Sequence, residues 1–368
     1  MNQFKKRYLQ IFLFFLIWRL FLFLVAFFAQ SILPNFGNRF PYVEILKIEH
    51  VPYWIYSFGN FDGVHYLRIA QDGYAYQFTQ AFFPLYPIFI KIVSHVTFGN
   101  FLVAALLISN LAFLLALLLF YKLINKIYDE KTAFWSYLFL LAFPTSFYFG
   151  AVYTEGIFFL MIVASFYLLE EKKILLASII GSFASATRLV GVFLAPALIK
   201  KMNFKSLIPL LVVPIGLILY MIYLKIEFNN PLYFLTAQSI WGQERSTTGI
   251  VLLPQVFWRY FKILMTTSGL PLFNAILELA ATIFALIILM IATKRLKMEW
   301  LIFSWLTVIT PTLTGTLTSM PRYILIAFPI YIVLAHIKSF TVKILLVTSF
   351  IVLQAILIIL FTRGYWVA

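Results

Sequence analysis

Long uninterrupted apolar runs limit the fold of this chain more than any other feature. They extend for roughly 17 to 23 positions at a time, matching a hydrocarbon slab about 30 Å thick at about 1.5 Å per helical residue. Backbone amides inside that slab meet no water, so each run must close its own hydrogen bonds as a helix. The strand-like alternation of an outer-membrane barrel is absent. Only 11% of the residues are charged and 63% are hydrophobic, with mean hydropathy +0.97; a soluble domain carries about a quarter charged residues. The fold class predicted is therefore all-α: a polytopic transmembrane helical bundle in one domain over 1–368, integral to a membrane and multi-pass.

Hydropathy places spans at about 11–33, 101–121, 133–150, 155–170, 174–187, 188–199, 207–224, 275–293, 299–317, 322–337 and 342–361. The run at 11–33 is too long for a signal-peptide core and lacks a small-residue cleavage site, so it reads as a retained first helix. The pair 174–187 and 188–199 is too short for two full crossings and reads as a broken or half-length hairpin, which is tolerated where it lines a cavity.

The net charge of +15 sits between the apolar runs, in Lys5-Lys6-Arg7, Lys122 with Lys126 and Lys131, Lys172-Lys173, Lys200-Lys201 with Lys205, Lys294-Arg295 with Lys297, and Lys338 with Lys343. Short cytoplasmic loops hold lysine and arginine in this way. The basicity is topological, and nucleic acid is excluded as a partner because no basic segment has aromatic interleaving. Placing these clusters inside makes about eleven crossings. Segment 82–98 cannot then cross without inverting every later loop, so it reads as a juxtamembrane or re-entrant helix. By the same argument 252–267 is an amphipathic helix on the outer face, with Arg259 and Lys262 reaching headgroups. Two long outer excursions remain, a first loop (34–98 with its juxtamembrane helix) and a second (225–270) containing Trp241. Long loops usually carry function, so chemistry is expected to face outward.

The chain contains no Cys, which removes disulfides, thiolate catalysis and Cys metal sites. Two of its three Asp lie in one stretch, Phe61-Asp62-Gly63-Val64-His65-Tyr66-Leu67-Arg68-Ile69-Ala70-Gln71-Asp72-Gly73-Tyr74. The bland reading is a polar loop with Asp-Gly turns. A helix over 62–70 would instead be capped by Asp62 and set Asp62, His65 and Arg68 on one face at i, i+3 spacing. A carboxylate there could take a proton from an acceptor hydroxyl, with a cation nearby for phosphate. A metal is the weaker reading, since Asp62 and His65 supply two ligands where catalytic zinc needs three; a divalent metal stays open. Glu155, at an outer membrane boundary, is either a functional carboxylate or a first-turn residue favoured by the helix dipole. Arg188 lies within an apolar hairpin, where an arginine costs about 2.5 kcal/mol or more and calls for a partner or ligand. Arg19 bears the same cost in the first helix, and another helix can supply its partner. Arg322 sits at an outer boundary and could hold phosphate or snorkel. Glu278 has no partner assignable from sequence. Phosphate-binding glycine loops, GxSxG and HExxH are absent.

The 61–74 motif, followed by Ala81-Phe-Phe-Pro-Leu-Tyr-Pro87, resembles the signature of the PIG-V mannosyltransferases. The similarity continues through Phe143-Pro-Thr-Ser146, Tyr153-Thr-Glu155-Gly156 and Ala184-Ser-Ala-Thr-Arg188-Leu-Val-Gly191. It covers about the first 200 residues, the rest matching in hydropathy alone. The resemblance implies a GT-C fold and a polyprenyl-phosphate sugar donor such as dolichyl-phosphate mannose. It also implies an active site outside the cytoplasm, in the first large loop, and a lipid, glycan or protein acceptor among membrane lipids. It puts the general base on Asp62, with His65 and Glu155 as further catalytic candidates. Arg68, Asp72, Arg188, Arg322 and Trp241 are the substrate-binding candidates. One departure is Phe61, where the family pattern expects Trp, a change that touches stacking on a sugar ring rather than the chemistry. The compact chain, rich in Lys, Ile and Phe, suggests a prokaryotic plasma membrane. The rival class is a transporter or flippase for a lipid-linked glycan, with many spans but no bond-making step; no second copy of 61–87 supports the internal repeat such proteins usually show. A non-catalytic subunit of a glycosylation complex is the third reading, against which the intact Asp62, His65 and Arg68 argue.

Overall fold

A computed structural model describes residues 3–37, 40, 42–199, 207–238, 240, 245–246 and 249–367, with side chains from residue 6 onward. Trp241 and the Lys200, Lys201 and Lys205 cluster lie outside the described residues. All regular structure among those described is helical. Among the described residues, five helices are long and apolar enough to cross a membrane: Lys6–Ile32, Phe101–Ile127, Leu207–Phe228, Gly269–Thr293 and Phe340–Thr362. The other six predicted spans are shorter or broken, for local reasons. Pro144 ends the helix Glu130–Ala142 well short of the predicted 150, because the residue before a proline is pushed out of the helical region; Phe143 accordingly has ψ 136°. Pro329 likewise separates the short turns at 320–326 from the helix Pro329–Ala335. The helix within 82–98 is Leu85–Ser94, about 15 Å long and too short to cross. In 252–267 the helix is Leu253–Thr266, with Trp258, Phe261 and Met265 exposed on one side and Lys262 Nζ 5.4 Å from the Trp258 ring.

The chain divides into two compact units. The first comprises Met1–Gly73, Leu85–Tyr167 and Leu334–Val367. Here Lys6–Ile32 packs along Phe340–Thr362, and Phe101–Ile127 packs against Glu130–Ala142 and Leu85–Ser94. Residues 141–159 are buried throughout, although 143–154 is not α-helical. Irregular backbone at such depth needs partners for its polar groups, and side chains of neighbouring helices supply them. Gln354 donates to Phe143 O at 2.9 Å, Asn110 to Gly150 O at 3.2 Å and Ser109 Oγ to Tyr153 O at 3.2 Å. Phe113 stacks flat on Phe149 with ring centroids 4.3 Å apart. Arg19, buried in the first helix, spreads its guanidinium over Phe23 and Phe58, 4.0 and 4.6 Å from the ring centroids, so aromatic faces take the place of the carboxylate a charged group would ordinarily seek.

The second unit comprises Tyr74–Pro84 and Leu168–Val333. Its broken hairpin is as the run lengths predicted: helix Ile174–Ser185, a break at Ala186–Arg188, then the short turns Leu189–Phe193 and Leu194–Ala197. Gly191 lets the returning arm lie on the first, since a Cβ there would sit 2.5 Å from Ala184 C and O. Ser185 repairs the neighbouring helix where Pro214 interrupts it. Its hydroxyl donates to Val213 O at 2.7 Å and accepts from the Leu217 amide at 3.2 Å. Phe83, Tyr220, Leu224 and Phe234 form a buried cluster with Tyr74 against it.

Candidate active site

In the first unit the 61–74 motif forms the helix Asp62–Asp72. Asp62 is the first helical residue rather than the cap: the cap position is Phe61, with φ 60° and ψ −117°. Positive φ in a bulky residue is costly, of order 1–3 kcal/mol, and persists where surrounding structure fixes it. The carboxylate nonetheless lies in the first turn, where the helix dipole favours negative charge. Gly63 suits a close approach, because a Cβ there would sit 3.3 Å from both Val152 Cβ and Val152 O and Val152 would have to shift by a few tenths of an ångström. The Val152 amide donates to Phe58 O at 3.0 Å and Tyr153 Oη to Asn60 O at 3.0 Å. The turn before Asp62 is thus docked on the stretch that leads into Glu155.

Asp62 and His65 are half-buried. Burial pushes the His65 imidazole below its usual range, and the Asp62 carboxylate pulls it the other way; a neutral ring that can accept or donate one hydrogen bond is the result near pH 7. Tyr42 meets the His65 ring edge-on at 5.7 Å. Arg68 pairs with Asp72 at the far end of the helix, Nη1 to Oδ2 3.6 Å. The pair is partly exposed and contributes little to stability. Glu155 opens the helix Glu155–Glu170 and is 1% exposed, close enough to Tyr86 to act on its hydroxyl electrostatically. The unit therefore brings Asp62 and His65 onto one turn, with the Glu155 approach packed against that turn. Among the described residues no cluster of three His, Asp or Glu could hold a metal ion.

In the second unit three arginines converge on one aromatic ring. The guanidinium carbons of Arg188, Arg245 and Arg322 lie 5.6, 5.3 and 5.6 Å from the Tyr323 centroid. Arg322 is buried and the other two are half-buried. Arg245 Nη2 donates to Tyr323 Oη at 2.8 Å and to Thr318 O at 3.1 Å. Arg259 donates to Gly315 O at 3.2 Å, and the Ser246 and Val251 amides reach Thr314 O and Leu313 O. Glu278 finds the partner that sequence could not name: it accepts from Tyr260 Oη, which in turn accepts from the Leu317 amide at 3.0 Å. The turn 313–319 leading to Arg322 is thereby fixed from several sides. Guanidinium forks gathered in this way suit the oxygens of a phosphate. Arg188 and Arg322 were both candidates from sequence. Arg245 was not, because it sits in a polar loop more than 70 positions from its Tyr323 partner; the charged run ending in Arg245 was the only signal.

The sequence profile of the family described as Mannosyltransferase (PIG-V) matches residues 6–210. Among curated proteins, GPI mannosyltransferase 2 of Cryptococcus neoformans is 31% identical over 145 residues, covering 36% of this chain and 34% of its own. The protein of the same name from Drosophila pseudoobscura is 30% identical over 152 residues, covering 39% and 32%. The match thus spans about a third of the length of these relatives. No solved structure matches.

Proposed function

We propose, from the premise that the chain belongs to the PIG-V mannosyltransferase family, that it is a membrane glycosyltransferase moving mannose from a polyprenyl-phosphate donor to an acceptor hydroxyl. The observation that carries this is the first-unit turn: Asp62 stands at the start of its helix, half-exposed, beside His65 and after the strained Phe61. In this reading Asp62 takes the proton of the acceptor hydroxyl, whose oxygen attacks the anomeric carbon while the polyprenyl phosphate leaves. A single displacement inverts the anomeric centre. Charge grows on the leaving phosphate, a group that cationic side chains stabilise; the second unit, taken by itself, offers Arg188, Arg245 and Arg322 as a cluster suited to phosphate oxygens. The energy resides in the sugar-phosphate bond, so no nucleotide-binding motif is required. The long apolar helices give the polyprenyl chain a hydrocarbon setting, and the distribution of lysine and arginine supports an active site on the extracytoplasmic face; the richness in Lys, Ile and Phe suits a prokaryotic plasma membrane.

The test is transfer from radiolabelled undecaprenyl-phosphate mannose in membranes expressing wild type or Asp62→Asn. Label moving to a new product with wild type, and lost in a folded variant, supports both the activity and the base. Equal transfer by both removes Asp62 from catalysis and shifts the role to Glu155. Movement of labelled lipid across the bilayer without a new product would favour a flippase.

A further inference from the structure

The segment that follows the Phe340–Thr362 helix makes contacts that no role above uses. Gly364, at φ 76°, reverses the chain in a Schellman turn: the Tyr365 amide donates to Leu360 O at 2.9 Å and the Gly364 amide to Phe361 O at 3.1 Å. The reversed chain locks onto the start of the first long polar stretch. Arg363 Nε donates to Leu33 O at 2.8 Å and its Nη2 to Pro34 O, while the Gly37 amide donates to Arg363 O at 2.8 Å. A Cβ on Gly364 would lie 2.5 Å from the Phe36 ring, so the two strands of chain interlock.

This end of the helix also grips the residues just before Asp62. The last carbonyls of a helix have no partner within it. Here Asn60 Nδ2 donates to Phe361 O at 2.9 Å and to Thr362 O at 3.2 Å, and Tyr53 Oη donates to Thr362 O at 3.1 Å. The Phe61 ring is enclosed by Trp366 at 5.1 Å, Phe40 at 5.0 Å and Phe361 at 5.6 Å. A strained backbone angle holds only when its surroundings over-determine it, and this cage with the Asn60 bonds does so. The Phe61 backbone leads directly into Asp62, the first residue of the helix.

We propose that Trp366 is a positioning residue for Asp62, acting through the Phe61 ring, with Arg363 and Gly364 holding Trp366 in place. The proposal rests on Asp62 being the base. Opening the cage lets Phe61 relax to an ordinary φ and re-aims the carboxylate, and a displacement near 1 Å costs on the order of 100-fold in rate.

The experiment is a double-mutant cycle on single-turnover transfer from undecaprenyl-phosphate [³H]mannose into the lipids of the expressing membrane. Its four proteins are wild type, Asp62→Asn, Trp366→Ala and the double variant, with Trp366→Phe as the conservative control. Trp366→Ala is expected to slow transfer roughly 10- to 100-fold at unchanged donor KM, with Trp366→Phe recovering most of the rate. The double variant is expected to be no slower than Asp62→Asn alone, because a residue acting through Asp62 has nothing left to act on. Unfolding temperature of the solubilised proteins separates this from a packing role, which would lower stability but not the rate per folded molecule. Multiplicative losses in the double variant would overturn the inference while leaving Asp62 as base. A raised KM at unchanged maximal rate would overturn it in favour of substrate contact by Trp366. A full rate in Asp62→Asn would sink the base and the inference with it.

Discussion

Replacing Arg245 is the sharpest test of the second-unit cluster, because sequence alone did not select it. Arg245→Ala removes two hydrogen bonds from a cation to neutral acceptors, those to Tyr323 Oη at 2.8 Å and Thr318 O at 3.1 Å. Those two bonds hold Arg245 in place and bear on stability; what a phosphate ligand would lose is a charge-assisted bond from the guanidinium, worth about 1.5–3 kcal/mol. Arg245 is half-buried and water replaces part of that bond, leaving a net loss of about 2 kcal/mol. That corresponds to roughly 30-fold in affinity or in kcat/KM. The assay is inhibition of mannose transfer by undecaprenyl phosphate, which carries the phosphate and the chain but no sugar. Its inhibition constant should rise about 30-fold in Arg245→Ala. Arg245→Lys should recover only a minor part, since an ammonium cannot reproduce the planar fork. An inhibition constant within threefold of wild type, in a variant of normal unfolding temperature, would refute phosphate binding by this cluster. The three guanidiniums around Tyr323 would then be a structural cluster.

Other outcomes follow from particular contacts. Gly191→Ala places a methyl 2.5 Å from Ala184 backbone atoms with no flexible side chain to yield, so the hairpin should open and the yield of folded protein fall severely. Chromatographic recovery in detergent checks this, and a normal profile would mean the arms are less closely apposed. Ser185→Ala leaves Val213 O without its donor in the Pro214 break and should cost about 1–3 kcal/mol, read as a lowered unfolding temperature that Ser185→Thr partly restores. For His65 the sign is set by its depressed pKa: the unfolded imidazole takes up a proton near pH 6.5 while the folded one resists. Its contribution is therefore complete above about pH 6.5 and is lost as pH falls through the folded value. The gap in unfolding temperature between wild type and His65→Gln should shrink from pH 7.5 to pH 5, and a gap that widens towards acid would contradict the burial.

What could be read from sequence was whatever is decided within a few residues. The Asp62–Asp72 helix, the break after Ser185 and the short Leu85–Ser94 helix each follow from local spacing, proline or run length. One local detail was misplaced for want of backbone angles: Phe61 holds the cap that Asp62 was expected to hold. The pairings that fix the candidate groups were invisible for a different reason. Tyr260 with Glu278, Arg245 with Tyr323, and Asn60 with Phe361 join positions 18, 78 and 301 apart, and no periodicity in a single sequence reports a contact at such separations.

The same physics governs the irregular stretch from Phe143 to Glu155. In a chain that must bury its backbone, a helix satisfies itself and leaves its side chains free to vary among apolar types. An irregular stretch cannot, and every carbonyl it exposes has to be met by a polar side chain at one fixed place. Phe143, Gly150 and Tyr153 each borrow such a donor from Gln354, Asn110 or Ser109, two helices that the motif itself does not contain. The information specifying this segment is therefore spread over 109, 110 and 354 as much as over 143–155. A lone polar residue inside an apolar run, such as Gln354 in the last helix, is then better read as the donor for a distant break in another helix than as a defect in its own. Gln354→Leu tests that reading. It raises the hydrophobicity of its helix yet should destabilise the protein by about 1–3 kcal/mol through the abandoned Phe143 carbonyl, whereas an unchanged or raised unfolding temperature would mean that the irregular segment has found another partner.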